Sequence, residues 1–120
     1  MVDQISAVAY GDKSAKITTI TFTWTSATAG TVTQTFDWDG ALVRMATNPG
    51  SAAPDANYDI TLVDADSIDL LATEGLNRHT TSSEQVFPTN TPFHNGTVTF
   101  TIANAGGEKT GVCILYMAWG

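Results

Sequence analysis

The stretch Ile17-Thr18-Thr19-Ile20-Thr21-Phe22-Thr23-Trp24-Thr25 decides the fold class. Ile20, Phe22 and Trp24 fall on one parity, and Thr19, Thr21, Thr23 and Thr25 on the other. Successive Cβ atoms of an extended chain point to opposite faces, so a period of two marks a strand with one face buried. The branched Cβ of threonine suits the half-exposed side of such a strand.

Downstream, Ser26-Ala27-Thr28-Ala29-Gly30 reads as a turn or short loop. Val32, Phe36 and Trp38 then repeat the alternation against Thr31, Thr33, Thr35 and Asp37, so the two segments are expected to pair as a hairpin. Gln34 interrupts the apolar face and needs a hydrogen-bond partner or a place near an edge. Asp39-Gly40 is a turn signal, Ala41 to Met45 a short third strand, and Ala46 to Asn57, with two prolines, a loop. Tyr58 to Val63 is a fourth main strand, broken by Asp64-Ala65-Asp66-Ser67. Asp69 to Asn77 is the one place where a short helix fits. Arg78 to Asn95 is mostly loop, with an extended piece at Gln85 to Phe87. Val98, Phe100 and Ile102 alternate with threonines, and Asn104-Ala105-Gly106-Gly107 turns the chain.

The closing segment, Val112 to Trp119, is apolar on both parities. Val112, Ile114, Tyr116 and Ala118 occupy one, and Cys113, Leu115, Met117 and Trp119 the other. A strand apolar on both faces is covered on both. A sandwich core meets one face, so a loop or another subunit covers the second. Leu115, Met117 and Trp119 are the expected subunit contacts.

The chain has 120 residues and a hydrophobic fraction of 42%, enough for one globular core and too short for a second. Residues 1–120 are therefore read as a single antiparallel β-sandwich, jelly-roll or immunoglobulin-like, of about seven to eight strands. Threonine makes up roughly one residue in six, which gives the chain a neutral, polar surface. The net charge of -7, with only five scattered cations, opposes nucleic-acid binding and attachment to an anionic membrane. No signal peptide and no membrane-spanning run is recognised. Cys113 is alone, so no internal disulfide forms, and its apolar surroundings mark an inert core thiol.

Catalytic groups are not assembled by the sequence. His79 and His94 stand outside any metal-ligand spacing and read as loop residues, and no nucleophile motif or phosphate-cradling loop is present. No cofactor and no enzymatic activity are expected. Asp64, Asp66 and Asp69 could surround a hard cation, but Asp and Ser also make turns through side-chain bonds to nearby backbone, and the structural turn is the preferred reading. Trp24, Trp38, Trp119 and Tyr58 are candidates for a sugar platform, although the parity of Trp24 and Trp38 places them in the core.

The segment Tyr58-Asp59-Ile60-Thr61-Leu62-Val63-Asp64-Ala65-Asp66-Ser67-Ile68-Asp69-Leu70-Leu71, followed by Asn77-Arg78 and Ser83-Glu84-Gln85-Val86-Phe87-Pro88, resembles a pattern in small virion proteins of tailed bacteriophages. There a similar stretch precedes a Gly-Thr-Val-Thr-Phe-type strand and an apolar final strand. The likeness covers about the last half of the chain and departs at Ser67, where such sequences often carry glycine. It implies a decoration or cement protein on the capsid exterior, made in the bacterial cytoplasm. Its partners would be the major capsid protein or another virion protein, and sister copies arranged as a trimer. Loops Thr47–Ala56 and Arg78–Asn95 are the expected docking or display segments. The alternatives are a carbohydrate- or receptor-binding sandwich module and a tail or neck component.

Overall fold

A computed structural model describes residues 4–10 and 17–118. Among the described residues seven strands form: β1 (Gln4–Tyr10), β2 (Ile17–Thr25), β3 (Val32–Pro49), β4 (Asp59–Val63), β5 (Glu84–Val86), β6 (Phe93–Ala103) and β7 (Thr110–Ala118). Every pairing is antiparallel, and the hydrogen-bonded order is β1-β2-β7-β3-β6-β4, with β5 on β3. The all-β antiparallel architecture expected from the alternation is the one the chain adopts.

β3 organises the whole. Its first half, Val32 to Ala41, pairs with β6, and its second half, Ala41 to Pro49, pairs with β7. Two irregularities separate the halves. Gly40 has φ 114°, a value that side chains disfavour, and the β7 register shifts between Leu42 and Arg44. The bulge also changes which parity faces inward. Phe36, Trp38 and Leu42 are buried before it, and Met45 and Thr47 after it. One strand thus passes from one layer of the structure to the other.

The layers meet through aromatic side chains. Phe22 of β2 stacks on Phe100 of β6 with ring centroids 4.1 Å apart, and Phe36 meets Phe22 edge-on at 5.1 Å. β2 and β6 share no hydrogen bonds in the sheet order, so this contact crosses the core. Trp24 packs beside Tyr58 at 5.8 Å, and the indole N–H of Trp38 donates to the Gly40 carbonyl at 2.8 Å. Gln34 finds its partner in the Thr35 carbonyl, to which its amide donates at 3.0 Å.

Several sequence expectations are corrected. The segments Ile17–Thr25 and Val32 to Trp38 do not form a hairpin, because β7 lies between β2 and β3. Their apolar faces oppose each other across the core, where Phe36 meets Phe22 edge-on. β6 and β7 follow each other in sequence yet do not pair, and both lean on β3. This places β7 away from the position beside β6 that an immunoglobulin order would give it. Asp39-Gly40 is a bend inside β3, and the strand runs on to Pro49 through part of the predicted loop. Gln4–Tyr10 is a strand that no alternation signalled. Asp69 to Asn77 forms successive turns, with left-handed φ values at Ala72, Thr73 and Asn77 that a right-handed helix excludes.

Tyr58 is 1% exposed, and its phenol is pushed up to about 12, chiefly by burial. The folded chain therefore holds the proton more tightly than the unfolded one. The associated stability is fully present below pH 10 and is lost as pH rises from 10 towards 12. At pH 11 the loss attributable to Tyr58 should be about 1 kcal/mol. Urea titrations of the wild type and Tyr58→Phe at neutral pH and at pH 11 test this, because the variant should lack that part of the alkaline decline.

Candidate functional site

The final strand carries the site argument, and its neighbours settle which face is which. In the β2–β7 register, Ile20 lies opposite Leu115, Phe22 opposite Cys113 and Trp24 opposite Gly111. Residues opposite each other share a face, so Cys113, Leu115 and Met117 join the core and are 0% exposed. The expectation that Leu115 and Met117 contact a sister subunit is corrected: a single chain already buries both completely. Trp119 lies outside the described residues. The half-exposed face is the other one, formed by Val112, Ile114, Tyr116 and Ala118. It is bordered by Thr19, Thr21 and Thr23 of β2 and by Arg44, Ala46 and Asn48 of β3.

Arg44 and Tyr116 lie opposite each other in the β3–β7 pairing. The guanidinium carbon sits 4.1 Å from the centre of the Tyr116 ring, and Nη2 donates to the Tyr116 hydroxyl at 3.4 Å. Arg44 Nε is buried and has no hydrogen-bond partner among the described residues. This pair lines a groove of about 260 Å³ together with Ala46, Ile114, Asn48 and the Ser83-Glu84-Gln85 segment. Glu84 does not neutralise Arg44. Its carboxylate accepts from the His79 backbone N–H at 2.7 Å and pairs with Arg78 at 3.7 Å. The groove thus sets the Arg44 guanidinium beside the apolar side chains of Ala46 and Ile114, with the Glu84 carboxylate engaged by His79 and Arg78.

The polar candidates have structural employment. Asp69 accepts backbone N–H bonds from Leu62, Leu71 and Thr73, at 3.2, 3.0 and 3.1 Å. Asp64 Oδ1 accepts from the N–H groups of Asp66 and Ile68 at 2.9 and 3.1 Å. These carboxylates build the turn, as the preferred reading had it. Among the described residues no group of three or more His, Cys, Asp or Glu side chains is placed to hold a metal. His79 Nδ1 accepts from the N–H groups of Thr81 and Ser82, which caps its turn. His94 lies on β6, opposite Gly40, and is not a loop residue. Burial pushes the Cys113 thiol up, so it stays protonated and unreactive.

Trp24, Trp38 and Tyr58 are each 1% exposed and offer no platform to a sugar ring. Among the described residues, the exposed aromatics are Tyr10, Phe87 and Phe93. Of the two docking loops, Thr47–Ala56 begins inside β3 with buried Thr47, and Gly50 and Ala52 are bonded to Thr110 at the start of β7. Thr80 donates its hydroxyl to the Pro54 carbonyl, which ties the second loop to the first. No sequence signal marked Arg44, because a single arginine in an apolar run has no pattern of its own. Among the described residues no helix is long and apolar enough to cross a membrane. Compared with known proteins, the chain matches no family model and no curated sequence.

Proposed function

We propose that this chain is a non-enzymatic structural subunit of a tailed-bacteriophage particle, a decoration or cement protein on the outside of the head. The observation that carries the reading is the outer face of β7, where Val112, Ile114, Tyr116 and Ala118 form a half-exposed apolar stripe between the threonines of β2 and Arg44, Ala46 and Asn48 of β3. Such a stripe contributes when a partner covers it, at roughly 25 cal/mol for each Å² of apolar surface removed from water. The flanking threonines supply donors and acceptors with little side-chain entropy to lose on docking. The resemblance of the Tyr58 to Pro88 segment to small virion proteins supports the same role. So does the structural employment of the carboxylates and His79, which leaves these groups holding loops.

In this role the chain binds the major capsid protein and its own sister copies, with a trimer as the assembly at local threefold positions. It clamps neighbouring capsomers by burying surface across them. Co-sedimentation with purified heads of the phage whose genome carries this chain is the test. Stoichiometric binding, with heads that survive heating to a higher temperature, is expected. Failure to bind at micromolar concentration would remove the role.

A further inference from the structure

The geometry points to a head-to-tail contact between copies of this chain, in which the Asp64-to-Ile68 tip of one copy seats in the Arg44 groove of the next. It rests on the oligomeric part of the function proposed above and names the surfaces that make it.

The groove asks for a particular occupant. Arg44 is half-buried, sits over the Tyr116 ring, and has no carboxylate within ion-pair distance among the described residues. A guanidinium presents five N–H donors in its plane, and the one hydrogen bond described for this group, to the Tyr116 hydroxyl, is long. A carboxylate is the acceptor that matches this fork best. Ile114 and Ala46 beside it call for an apolar side chain within two or three residues of that carboxylate.

The chain carries such a segment. Ala65, Asp66, Ser67 and Ile68 form an exposed tip after β4, and Ile68, 56% exposed, offers an apolar side chain two residues from the Asp66 carboxylate. The carboxylate of Asp66 takes no hydrogen bond among the described residues, whereas those of Asp64 and Asp69 are used by the turn. Asp64 bonds to the backbone of both Asp66 and Ile68, so the tip is held in one shape before it meets a partner. Little conformational freedom is then left to lose on docking.

The tip extends from β4, which pairs with β6, while the groove lies on the outer face of β7 and the second half of β3. Two different patches joined in this way make a heterologous contact, which closes into a ring or continues as a chain. A second copy is therefore the occupant that fits. A chain of net charge -7 repels its copies at long range, so association needs a local cation facing a local anion, and Arg44 with Asp66 supplies that pair.

Light scattering on the full chain and on R44E, D66R and the R44E/D66R double variant tests the contact. Wild type should show a mass that is a multiple of one chain, and each single variant should weaken association by about tenfold or more. The double variant restores opposite charges at the contact and should recover most of the loss. Raised salt should weaken wild-type association. D66R lies on the exposed tip, so its melting temperature should match wild type, which keeps the test independent of any folding defect in R44E. A wild-type chain that stays monomeric at sub-millimolar concentration, a D66R variant that associates normally, or a double variant that stays apart would each overturn the inference. Head binding measured on the same samples separates the two claims. A monomer that still binds heads removes this contact alone, and an oligomer that ignores heads removes the decoration role alone.

Discussion

Phe22→Ala should cost about 3–5 kcal/mol of folding stability, the loss expected when a fully buried ring is removed from the core. The ring is 0% exposed and lies at the centre of the interlayer contact, stacked on Phe100 at 4.1 Å with an interplanar angle of 1° and met edge-on by Phe36. Truncation removes the transfer free energy of the ring and leaves a cavity between two sheets whose backbones are held by their own hydrogen bonds. The layers cannot close the gap without breaking pairings of β2 with β1 and β7. A domain of this kind has roughly 5–15 kcal/mol in total, so the variant should sit near its unfolding threshold. Urea denaturation followed by tryptophan fluorescence measures the effect. Phe22→Leu should recover more than half of the loss, because it keeps most of the volume. Ile17→Ala, at a position 53% exposed on the same strand, should change stability by less than about 0.5 kcal/mol. A loss below about 1 kcal/mol for Phe22→Ala would mean that the two layers do not meet through this ring.

Gly40→Val should cost about 3 kcal/mol and should damage both layers at once. Gly40 has φ 114°, outside the regions open to an L side chain, and a β-branched residue tolerates that least. The residue stands where β3 leaves β6 and joins β7, and its carbonyl accepts the Trp38 indole N–H at 2.8 Å. Relaxing the backbone to a negative φ would move that carbonyl and misalign Ala41, which pairs with Phe93 of β6 and Ala118 of β7. Amide hydrogen exchange should show protection falling in both β6 and β7. Asp39→Ala, one residue earlier and exposed, should leave both strands protected. Loss confined to one of the two strands would show that β3 is not a single element shared by the layers.

The parity of Ile20, Phe22 and Trp24 was legible because threonine alternates with them without a break, and the same holds for Val98, Phe100 and Ile102. The Asp64 turn was legible for a similar reason, since Asp and Ser bond to backbone a few residues away, within the reach of local sequence. The face of β7 was not legible. Both of its parities are apolar, and only the register with β2 puts Leu115 beside Ile20 and turns Ile114 outward. Arg44 was hidden for the same reason, because its partner Tyr116 is 72 residues away in sequence.

By itself, the sequence determined that this chain is all-β and antiparallel, which aromatic residues enter the core, and where its acidic turn lies. All of these follow from the two-residue period of an extended chain and from bonds between near neighbours. Only the tertiary structure decided that β3 serves both layers, that β7 lies between β2 and β3, and that Ile114 and Tyr116 face outward beside Arg44. Strand order and register depend on pairings between distant segments. A local pattern records which side of a strand is apolar, and it does not record which strand will lie against it.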